Sequence, residues 1–325
     1  MASVRDQAAL VALARAGDER AFVELAALHR RALHAHCYRL LGSLHDADDA
    51  LQETLLRAWR GIDRFEPRAP VGAWLHRIAT NVCLRLLERR ARTPVPVDAH
   101  LEPYPDGPPT AGAASDGPAS AAERREAIGL AFVAAMQLLP PKQRVALVLR
   151  DVLDWSAREV AELLEDSVAA VNSALQRARQ QIAHECEHGS LARVHAPRDA
   201  RTEAAVMRRF QEAWEAVDID GLVALLADDA LLTMPPEGVA IPGAPAIGRF
   251  FATTPMQGRL DRIRLRPARA NGQPALAAYA EDDRTGGHGA YGIMVFAIAA
   301  DRIAGITGFP DRPDLFQRLG LPVRL

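Results

Sequence analysis

A segment that cannot form a core divides this chain and constrains its fold more than any other feature. Residues 93–120, TPVPVDAHLEPYPDGPPTAGAASDGPAS, are rich in Pro, Gly, Ala and Asp and poor in large apolar side chains. Because such a composition buries too little apolar surface to offset the entropy of ordering, it predicts an extended, flexible, slightly acidic linker. The 325 residues are therefore expected to fold as separate domains around it.

The segments on both sides of the linker, residues 1–92 and 121–190, have helical periodicity. In the first, helices are predicted around residues 22–33, from near Asp46 to Gly61, and from Ala73 to about Arg92. In the second, Ser156 and Glu159 have capping-box spacing, and Ser167 begins a longer helix after a tight turn. A short helix, a turn and a longer helix with a polar, arginine-bearing face indicate a helix-turn-helix.

Residues 200–325 have a different pattern. One or two helices, at residues 206–217 and 220–226, come before β-type segments at residues 230–234, 263–269, 275–279, 291–297 and 302–307. Helices followed by antiparallel strands predict an α+β domain with a curved sheet over helices. The fold class is therefore multidomain, with two all-α parts and one α+β part.

Charge is sorted along the first module. The formal net charge of −2 argues against a nucleic-acid binder. However, an acidic cluster at residues 46–53 is followed by a basic run at residues 77–92, so two different partners are expected. The acidic residues Asp48, Asp49, Gln52 and Glu53 share a polar helix face. From the residues alone, that face is a solvated surface, a protein-docking surface or, least favoured, a metal or acid/base site.

The basic helix and the helix-turn-helix are candidate nucleic-acid contacts. In the first module, two kinds of candidate residue lie close together in the sequence. Arginines can bind phosphates, and polar or aromatic groups can hold an unstacked base. The candidates are Phe65, Arg77, Thr80, Asn81, Arg85 and Arg89. In the second module, base-edge or phosphate contacts are predicted for Ser167, Ala169, Ala170, Asn172, Ser173, Gln176, Arg177 and Arg179. The alternative for Trp74 is a buried position in the hydrophobic core. The alternative for the longer helix is that its polar face is only a solvent-exposed surface of a helical bundle.

Neither a membrane nor a metal is expected as a partner. No apolar stretch reaches the length of a membrane helix, and the N-terminus is amphipathic and unlike an export signal. Cys37, Cys83 and Cys186 lie far apart, which fits a reducing cytoplasm without disulfides. His184 and His188 share a helix face, but Cys186 points elsewhere and no fourth ligand is evident. We therefore predict no metal and no cofactor.

Two long motifs carry a family resemblance. HDADDALQETLLRAWRGIDRFEPRAPVGAWLHRIATNVCLRLLERR resembles region 2 of an extracytoplasmic-function sigma factor of RNA polymerase, and LPPKQRVALVLRDVLDWSAREVAELLEDSVAAVNSALQRARQQI resembles region 4. The resemblance implies a promoter-specificity subunit whose partners are promoter DNA and core polymerase, through the β′ clamp helices and the β flap. It also implies that the acidic face docks on the clamp helices.

The same resemblance implies roles for the other candidate residues. The loop at residues 64–73, with Thr80 and Asn81, would open the −10 element, and the helix from Ser167 would read the −35 element. The linker would thread towards the RNA exit channel. The preferred −35 sequence stays open, since small residues at Ala169 and Ala170 stand where relatives often carry larger or basic groups.

The third domain resembles the SnoaL-like group of the NTF2 fold, through AWEAVDIDGLVALLADDALLTMPPE and YGIMVFAIAADRIAGITGFPDRPDLFQRLGLP. This appendage is typical of sigma-G-like and sigma-J-like sigma factors, and it implies a conical cavity. Its candidate lining residues are Trp214, Met234, Tyr279, His288 and Tyr291. We expect the domain to regulate the sigma domains in cis, with a small-molecule ligand left open and no catalysis.

Two other readings of the chain are kept as alternatives. One is a helix-turn-helix repressor with a ligand-sensing domain, which offers no role for the acidic helix. The other is a SnoaL-like enzyme using His288 with Asp218 or Asp220 as an acid/base pair.

Overall fold

The structure is a computed structural model that describes residues 4–66, 70–90, 101–106, 129–188, 200–282 and 286–325. It divides into two compact units, one made of Met1–Val95 with Met136–Gln180 and the other of Pro96–Ala135 with Gln181–Leu325. The helices before the C-terminal domain are α1 (Val4–Arg15), α2 (Glu19–Leu41), α3 (Leu44–Gly61), α4 (Val71–Arg90), α5 (Leu130–Gln137), α6 (Pro141–Leu147), α7 (Ala157–Leu164) and α8 (Val168–His188). Within the described ranges, no helix combines the length and the apolar character of a membrane span.

Local capping chemistry fixes both ends of α2 and the start of α3. Asp18 caps α2 by accepting hydrogen bonds from the backbone N–H groups of Arg20 and Ala21. Helix α2 ends at Gly42, which adopts the left-handed conformation with φ of 75°. Ser43 then caps α3. Helix α2 packs on α1, α3 and α4, so its long apolar face forms the centre of this bundle.

The helix-turn-helix is present as predicted. Ser156 and Glu159 form the reciprocal capping box that starts α7. Glu165 takes a left-handed conformation after α7, and the hydroxyl of Ser167 accepts from the backbone N–H of Ala170 in the first turn of α8. Helix α6 continues into a π-helical turn over Val148–Val152 before this motif.

The second unit contains a six-stranded sheet in the order β2-β1-β6-β5-β4-β3. Its strands are β1 (Leu226–Met234), β2 (Val239–Pro242), β3 (Ile263–Ala270), β4 (Gln273–Asp282), β5 (Gly287–Ala299) and β6 (Arg302–Pro310), and its helices are α9 (Ala200–Glu215), α10 (Ile219–Ala224), α11 (Ala244–Thr253) and α12 (Pro313–Arg318). The core between the sheet and α9 to α11 is built around Phe210, Trp214, Phe251 and Phe296.

The sheet differs from the prediction in one pairing. Strands β1 and β6 run parallel, whereas the other neighbouring pairs are antiparallel. The all-antiparallel prediction was wrong at this point, because β1 and β6 are not joined by a hairpin: the chain passes through β2, α11 and the meander β3–β5 before it reaches β6. Strand β2 and helix α11 were also not predicted. Both are short elements flanked by Pro and Gly, a composition that indicates loops.

Part of the predicted linker is ordered against the second unit. Residues 101–106 are extended, as predicted, but Leu101 is buried and Pro105 forms a bridge with Ala270 of β3. The prediction of a flexible linker was therefore wrong for these six residues. The prediction assumed that a segment without its own core stays mobile, yet this segment is held by hydrogen bonds to another domain.

Candidate functional site

The acidic face of α3 is accessible. Asp49 and Gln52 are exposed, and Asp48 and Glu53 are half-buried. Asp48 lies 3.2 Å from Nε2 of His34, and the other side of the helix is buried in the bundle. The exposed side therefore presents carboxylates on a rigid support, as a charged docking surface requires.

A basic stripe follows one face of α4. Its members are Arg77, Asn81, Arg85 and Arg89, spaced four residues apart so that they stack along one face. The three arginines are exposed, and the described residues give them no carboxylate at ion-pairing distance. Arg90, in contrast, is bonded to Asp46 of α3. Guanidinium groups left without internal partners are suited to phosphate contacts.

Two residues predicted to contact DNA are buried instead. Thr80 is fully buried, accepts a hydrogen bond from Nε2 of His36 at 2.8 Å and donates to the carbonyl of His76 at 2.8 Å. Phe65 is 5% exposed and packs on Trp74 with the ring centroids 5.0 Å apart. Consecutive residues on a helix point in different directions, so Asn81 faces outward while its neighbour Thr80 faces the bundle.

The outer face of α8 has the predicted polar character. Val171, Leu175 and Ala178 are buried on its inner side. The exposed or half-buried side chains of the outer face are Ser167, Ala169, Ala170, Asn172, Ser173, Gln176 and Arg177. They cover the first turns of the helix, which enter the major groove in helix-turn-helix proteins.

Arg179 is the one predicted member of the α8 face with an ion-paired partner in the described structure. Its Nε and Nη2 bond both carboxylate oxygens of Asp151, at 3.0 and 2.6 Å. These hydrogen bonds raise the pKa of Arg179. The guanidinium is thus held in a fixed orientation at the edge of the face.

The ordered linker residues bind the turn between β3 and β4. Asn271 and Gly272 both have positive φ, 55° and 67°, as the Asn-Gly hairpin turn requires. Asn271 and Tyr104 exchange two hydrogen bonds: the N–H of Asn271 donates to the Tyr104 carbonyl at 2.9 Å, and the N–H of Tyr104 donates to Asn271 Oδ1 at 2.8 Å. The N–H of Gly272 donates to Oδ1 of Asp106 at 2.7 Å.

Residues 101–106 with Asn271, Gly272, Arg269 and Arg312 are called the linker contact. In it, Arg269 also lies 3.5 Å from the carboxylate of Asp106. Arg312, after β6, bonds the carboxylate of Glu102. Beside the turn, Oε1 of Gln273 accepts from the backbone N–H of Leu130 at 2.7 Å. The start of α5 and residues 101–106 are therefore both bound to the same end of the β3–β4 hairpin.

The C-terminal domain contains a cavity of about 240 Å³. Three of the predicted residues line it: Trp214, Met234 and Tyr291. Tyr279 does not, because its ring packs on Phe316 outside the helix-facing core and its hydroxyl donates to the carbonyl of Pro322. His288 does not either, since it lies at the start of β5, where its carbonyl accepts from the N–H of Leu325. Those two cavity assignments were wrong.

The acid/base pair considered from the sequence is not assembled at the cavity. Asp218 caps α10 through the N–H of Gly221, and neither Asp218 nor Asp220 lines the cavity. In the described part of the chain, no group of three or more His, Cys, Asp or Glu side chains is placed to hold a metal ion. His184 lies within that part, whereas the side chains of Cys186 and His188 lie outside it.

Sequence reasoning missed the residues that hold the linker. Asn271 and Gly272 have the signature of a hairpin turn, but no local signal shows that the turn binds a second segment. Glu102 and Arg312 are 210 residues apart. Gln273 is buried, and a buried amide inside a strand is a hint of a specific partner that single-sequence patterns do not identify.

Comparison with known proteins agrees with this architecture. The family descriptions "Sigma-70 region 2", "Sigma-70, region 4" and "SnoaL-like domain" match residues 25–93, 129–182 and 207–306. The ECF RNA polymerase sigma factor SigG of Mycobacterium tuberculosis is 41% identical over 95% of this chain and 85% of its own length. The ECF sigma factor SigE of Mycolicibacterium smegmatis is 35% identical over 49% of this chain and 59% of its own length.

A solved structure extends the similarity to the fold. The crystal structure of the Mycobacterium tuberculosis extracytoplasmic function sigma factor SigJ matches with a TM-score of 0.61 and 25% identity, covering 93% of this chain and 99% of that one. The three family descriptions follow one another along the chain in the same order as the two helical parts and the mixed-sheet domain of this structure. The chain therefore belongs to the ECF RNA polymerase sigma factors, which act in transcription initiation, and it carries a SnoaL-like C-terminal domain.

Proposed function

We propose that three surfaces have separate roles in promoter recognition: the acidic face of α3, the basic stripe of α4 and the outer face of α8. The acidic face of α3 docks on the β′ clamp helices of core polymerase, and region 4 contacts the β flap. The exposed carboxylate of Asp49 and the amide of Gln52 support this role, because charged groups at the rim of an interface speed association and select partners. The acidic face is the main observation behind the proposal, because a repressor that acts without polymerase would not need a docking surface for polymerase.

The basic stripe of α4 is proposed to hold DNA at the −10 element. The guanidinium groups of Arg77, Arg85 and Arg89, which have no ion pair within the described ranges, would neutralise phosphates, while Asn81 offers both a donor and an acceptor to a base. Thr80 is assigned a supporting role, because its hydroxyl already links α2 to α4. Phe65 likewise supports Trp74 and is not proposed to stack on a base.

The outer face of α8 is proposed to read the −35 element. Asn172 and Gln176 are four residues apart on its exposed side, and Asn or Gln amides pair with adenine edges. Arg177 would bind a phosphate. Ala169 allows close approach to thymine methyl groups.

The C-terminal domain is proposed to regulate these regions in cis through the linker contact. The linker joins regions 2 and 4 covalently, so a domain that holds residues 101–106 restricts how far the two regions can separate. The hydrogen bonds of Tyr104 and Asp106 to the Asn271–Gly272 turn support the role. The cavity is proposed to bind a small molecule without converting it. Its described lining has no histidine, and its carboxylates are the exposed Glu237 and Asp311.

The docking proposal is tested by charge inversion. The variant Asp49→Arg/Glu53→Arg is compared with Asp301→Arg/Glu215→Arg, which makes the same charge change at exposed positions of the C-terminal domain. Like charges brought together at an interface cost several kcal/mol, so the first variant should lose core binding by at least about a hundredfold and the control should not. Binding to core polymerase and reconstituted transcription are the measurements. Equal core affinity for both variants would remove the docking assignment.

A further inference from the structure

Arg179 of α8 is held by a carboxylate that comes from a different element of region 4. Its Nε and Nη2 donate to the two carboxylate oxygens of Asp151 at 3.0 and 2.6 Å. Asp151 lies in the π-helical turn Val148–Val152 that follows α6. The Arg179 side chain is nevertheless 57% exposed, so solvent screens the pair and its contribution to folding is small. A role in stability therefore does not account for this geometry.

Both partners stand on rigid backbone. In the π-helical turn, the N–H of Leu153 donates to the carbonyl of Val148 at 3.2 Å, and the N–H of Trp155 donates to the carbonyl of Leu149 at 2.9 Å. On the other side of the pair, α8 is anchored by buried side chains within about one turn of Arg179. They are Leu175, Ala178 and Ile182. The guanidinium therefore has little freedom to change its direction.

Arg179 continues the line of side chains proposed to read bases. Asn172, Gln176 and Arg179 are spaced by four and then three residues, so they lie on one face of α8. At about 1.5 Å per residue, Arg179 is about 10 Å along the helix axis from Asn172, and the major groove is about 12 Å wide. With the first turns of α8 in the groove, Arg179 comes to the phosphates at the groove edge.

The pair with Asp151 leaves part of the guanidinium available. Arginine carries more N–H donors than one carboxylate can use, and Asp151 accepts one from Nε and one from Nη2. Asp151 does not use the N–H groups of Nη1 or the second N–H of Nη2. These donors form a fork that can bind two oxygens of one phosphate. A phosphate and the Asp151 carboxylate can therefore bind the same guanidinium at once.

We infer that Asp151 is a positioning residue for a phosphate contact of Arg179, and that it thereby raises the selectivity of region 4 for its −35 element over other DNA. The inference rests on the −35 role proposed for α8. In the specific complex, the guanidinium already has its direction, so less side-chain entropy is lost on binding. On other DNA, where binding is governed by charge, the Asp151 carboxylate cancels one cation of the face.

The test is Asp151→Asn in the full chain, which removes the carboxylate charge and keeps the size of the side chain. Binding to a duplex without promoter sequence should become about threefold tighter at about 0.1 M salt, and its salt dependence should steepen by about one phosphate contact. Fluorescence anisotropy measures both quantities.

Promoter selectivity should change in the opposite direction. A promoter selected by the wild-type holoenzyme is compared with the same promoter carrying a scrambled −35 element. The ratio of reconstituted transcription from the two should fall by about threefold to tenfold in Asp151→Asn. Urea unfolding of this variant should match the wild type, which separates positioning from a loss of fold.

Two further variants show whether the carboxylate acts through the guanidinium. Asp261→Asn is the matched control, because Arg259 binds both oxygens of Asp261 through the same two nitrogen atoms, at 2.9 and 2.7 Å, in the C-terminal domain. It should leave the promoter ratio unchanged. In an Arg179→Ala background, Asp151→Asn should not lower the ratio further, because repulsion by the carboxylate alone acts on both promoters equally.

Three results would overturn the inference. They are a promoter ratio that Asp151→Asn leaves unchanged or raises, an equal fall in the Arg179→Ala background, or an equal fall in Asp261→Asn. Failure of the −35 role itself gives a different result, since Asn172→Ala would then also leave the ratio unchanged. If Asn172→Ala lowers the ratio and Asp151→Asn does not, the positioning role is wrong and the −35 role stands.

Discussion

Arg312, in the short connection after β6, bonds the carboxylate of Glu102, which lies 210 residues earlier in the chain. Arg312 also bonds both oxygens of Asp314, at 2.9 and 2.7 Å. The Asp314 carboxylate first, and Glu102 after it, raise the pKa of Arg312. Glu102 is 9% exposed, so this contact with Arg312 is largely shielded from solvent on the Glu102 side. Residues 101–106 are thus held by directional polar bonds.

Glu102→Gln should loosen the linker contact while leaving Arg312 paired with Asp314. A hydrogen bond to a charged group contributes about 1.5–3 kcal/mol when buried, and the partial exposure of Arg312 favours the lower end. Amide exchange at residues 101–106 should therefore become about tenfold faster. Hydrogen exchange with mass spectrometry measures this.

The matched control is Arg259→Ala, which breaks an exposed ion pair with Asp261 elsewhere in the same domain. It should leave exchange at residues 101–106 unchanged. If the linker contact regulates in cis, Glu102→Gln should also change promoter output at equal protein level. Faster exchange without any change in transcription would reject the regulatory role and keep the structural one.

Substitutions on α8 should separate sequence reading from general DNA affinity. Asn172→Ala and Gln176→Ala should each relax the preference at one base pair of the −35 element by about 1–3 kcal/mol. Arg177→Ala should weaken binding to all sequences alike and reduce the salt dependence by about one phosphate contact. Promoter libraries transcribed by reconstituted holoenzyme at two salt concentrations give both quantities. Identical promoter profiles for Asn172→Ala, Gln176→Ala and the wild type would refute the assignment.

Local patterns predicted the parts of the fold that depend on local chemistry. The Ser156–Glu159 capping box, the α8 face and the charge-sorted helices α3 and α4 follow from short-range spacing. Long-range relationships were not predictable in this way. The turn at Asn271 does not reveal that it binds residues 101–106, and the parallel pairing of β1 with β6 depends on a crossover.

Side-chain direction was the other source of error in the candidate sites. Thr80 and Asn81 are adjacent in sequence, yet one is buried and the other half-buried on the outer face. Tyr279 and Ala278 are adjacent on β4, and only Ala278 lines the cavity. Residue type made Tyr279 an attractive candidate, but strand alternation, which needs the register, decides the side.

The hydrogen bonds of His36 fix its tautomer. Thr80 donates its hydroxyl proton to the His76 carbonyl, so it accepts from His36, and Nε2 of His36 carries the proton. The second nitrogen, Nδ1, is buried without a partner in the described structure. Burial first, then the nearby His76 and Arg39, hold the pKa of His36 well below its ordinary value of 6.5.

This arrangement predicts acid destabilisation of region 2. Below about pH 6.5 the unfolded chain binds a proton at His36 and the folded chain does not, so stability falls as pH decreases, by up to about 1.4 kcal/mol per pH unit. His36→Gln should flatten this dependence between about pH 6.5 and 5, whereas His45→Gln, at an exposed position of α3, should not. Urea midpoints followed by tryptophan fluorescence at several pH values test it. A parallel pH dependence in His36→Gln and the wild type would contradict the assignment.

Arg144 of α6 satisfies carbonyl groups near the ends of two other helices. Its guanidinium donates to the carbonyl of Leu40 in α2 at 2.7 Å, and to the carbonyls of Gln137 and Leu139 at 2.7 and 3.2 Å. Arg144 is 5% exposed, and burial first, then the charge of Arg90, lowers its pKa to about 10. It remains charged near neutral pH, which suits the negative end of a helix dipole.

Arg144→Met should therefore destabilise the first unit by about 2–4 kcal/mol, because it leaves several buried carbonyls without donors. Arg158→Met is the control, since it removes an exposed ion pair with Glu162 and should change stability by less than about 0.5 kcal/mol. In a Trp214→Phe background, the remaining tryptophans, Trp59, Trp74 and Trp155, all lie in the first unit. Fluorescence-detected urea unfolding then reports on that unit alone. Equal midpoints for the two arginine variants would show that these bonds add nothing to the packing of α6 on the helices of region 2.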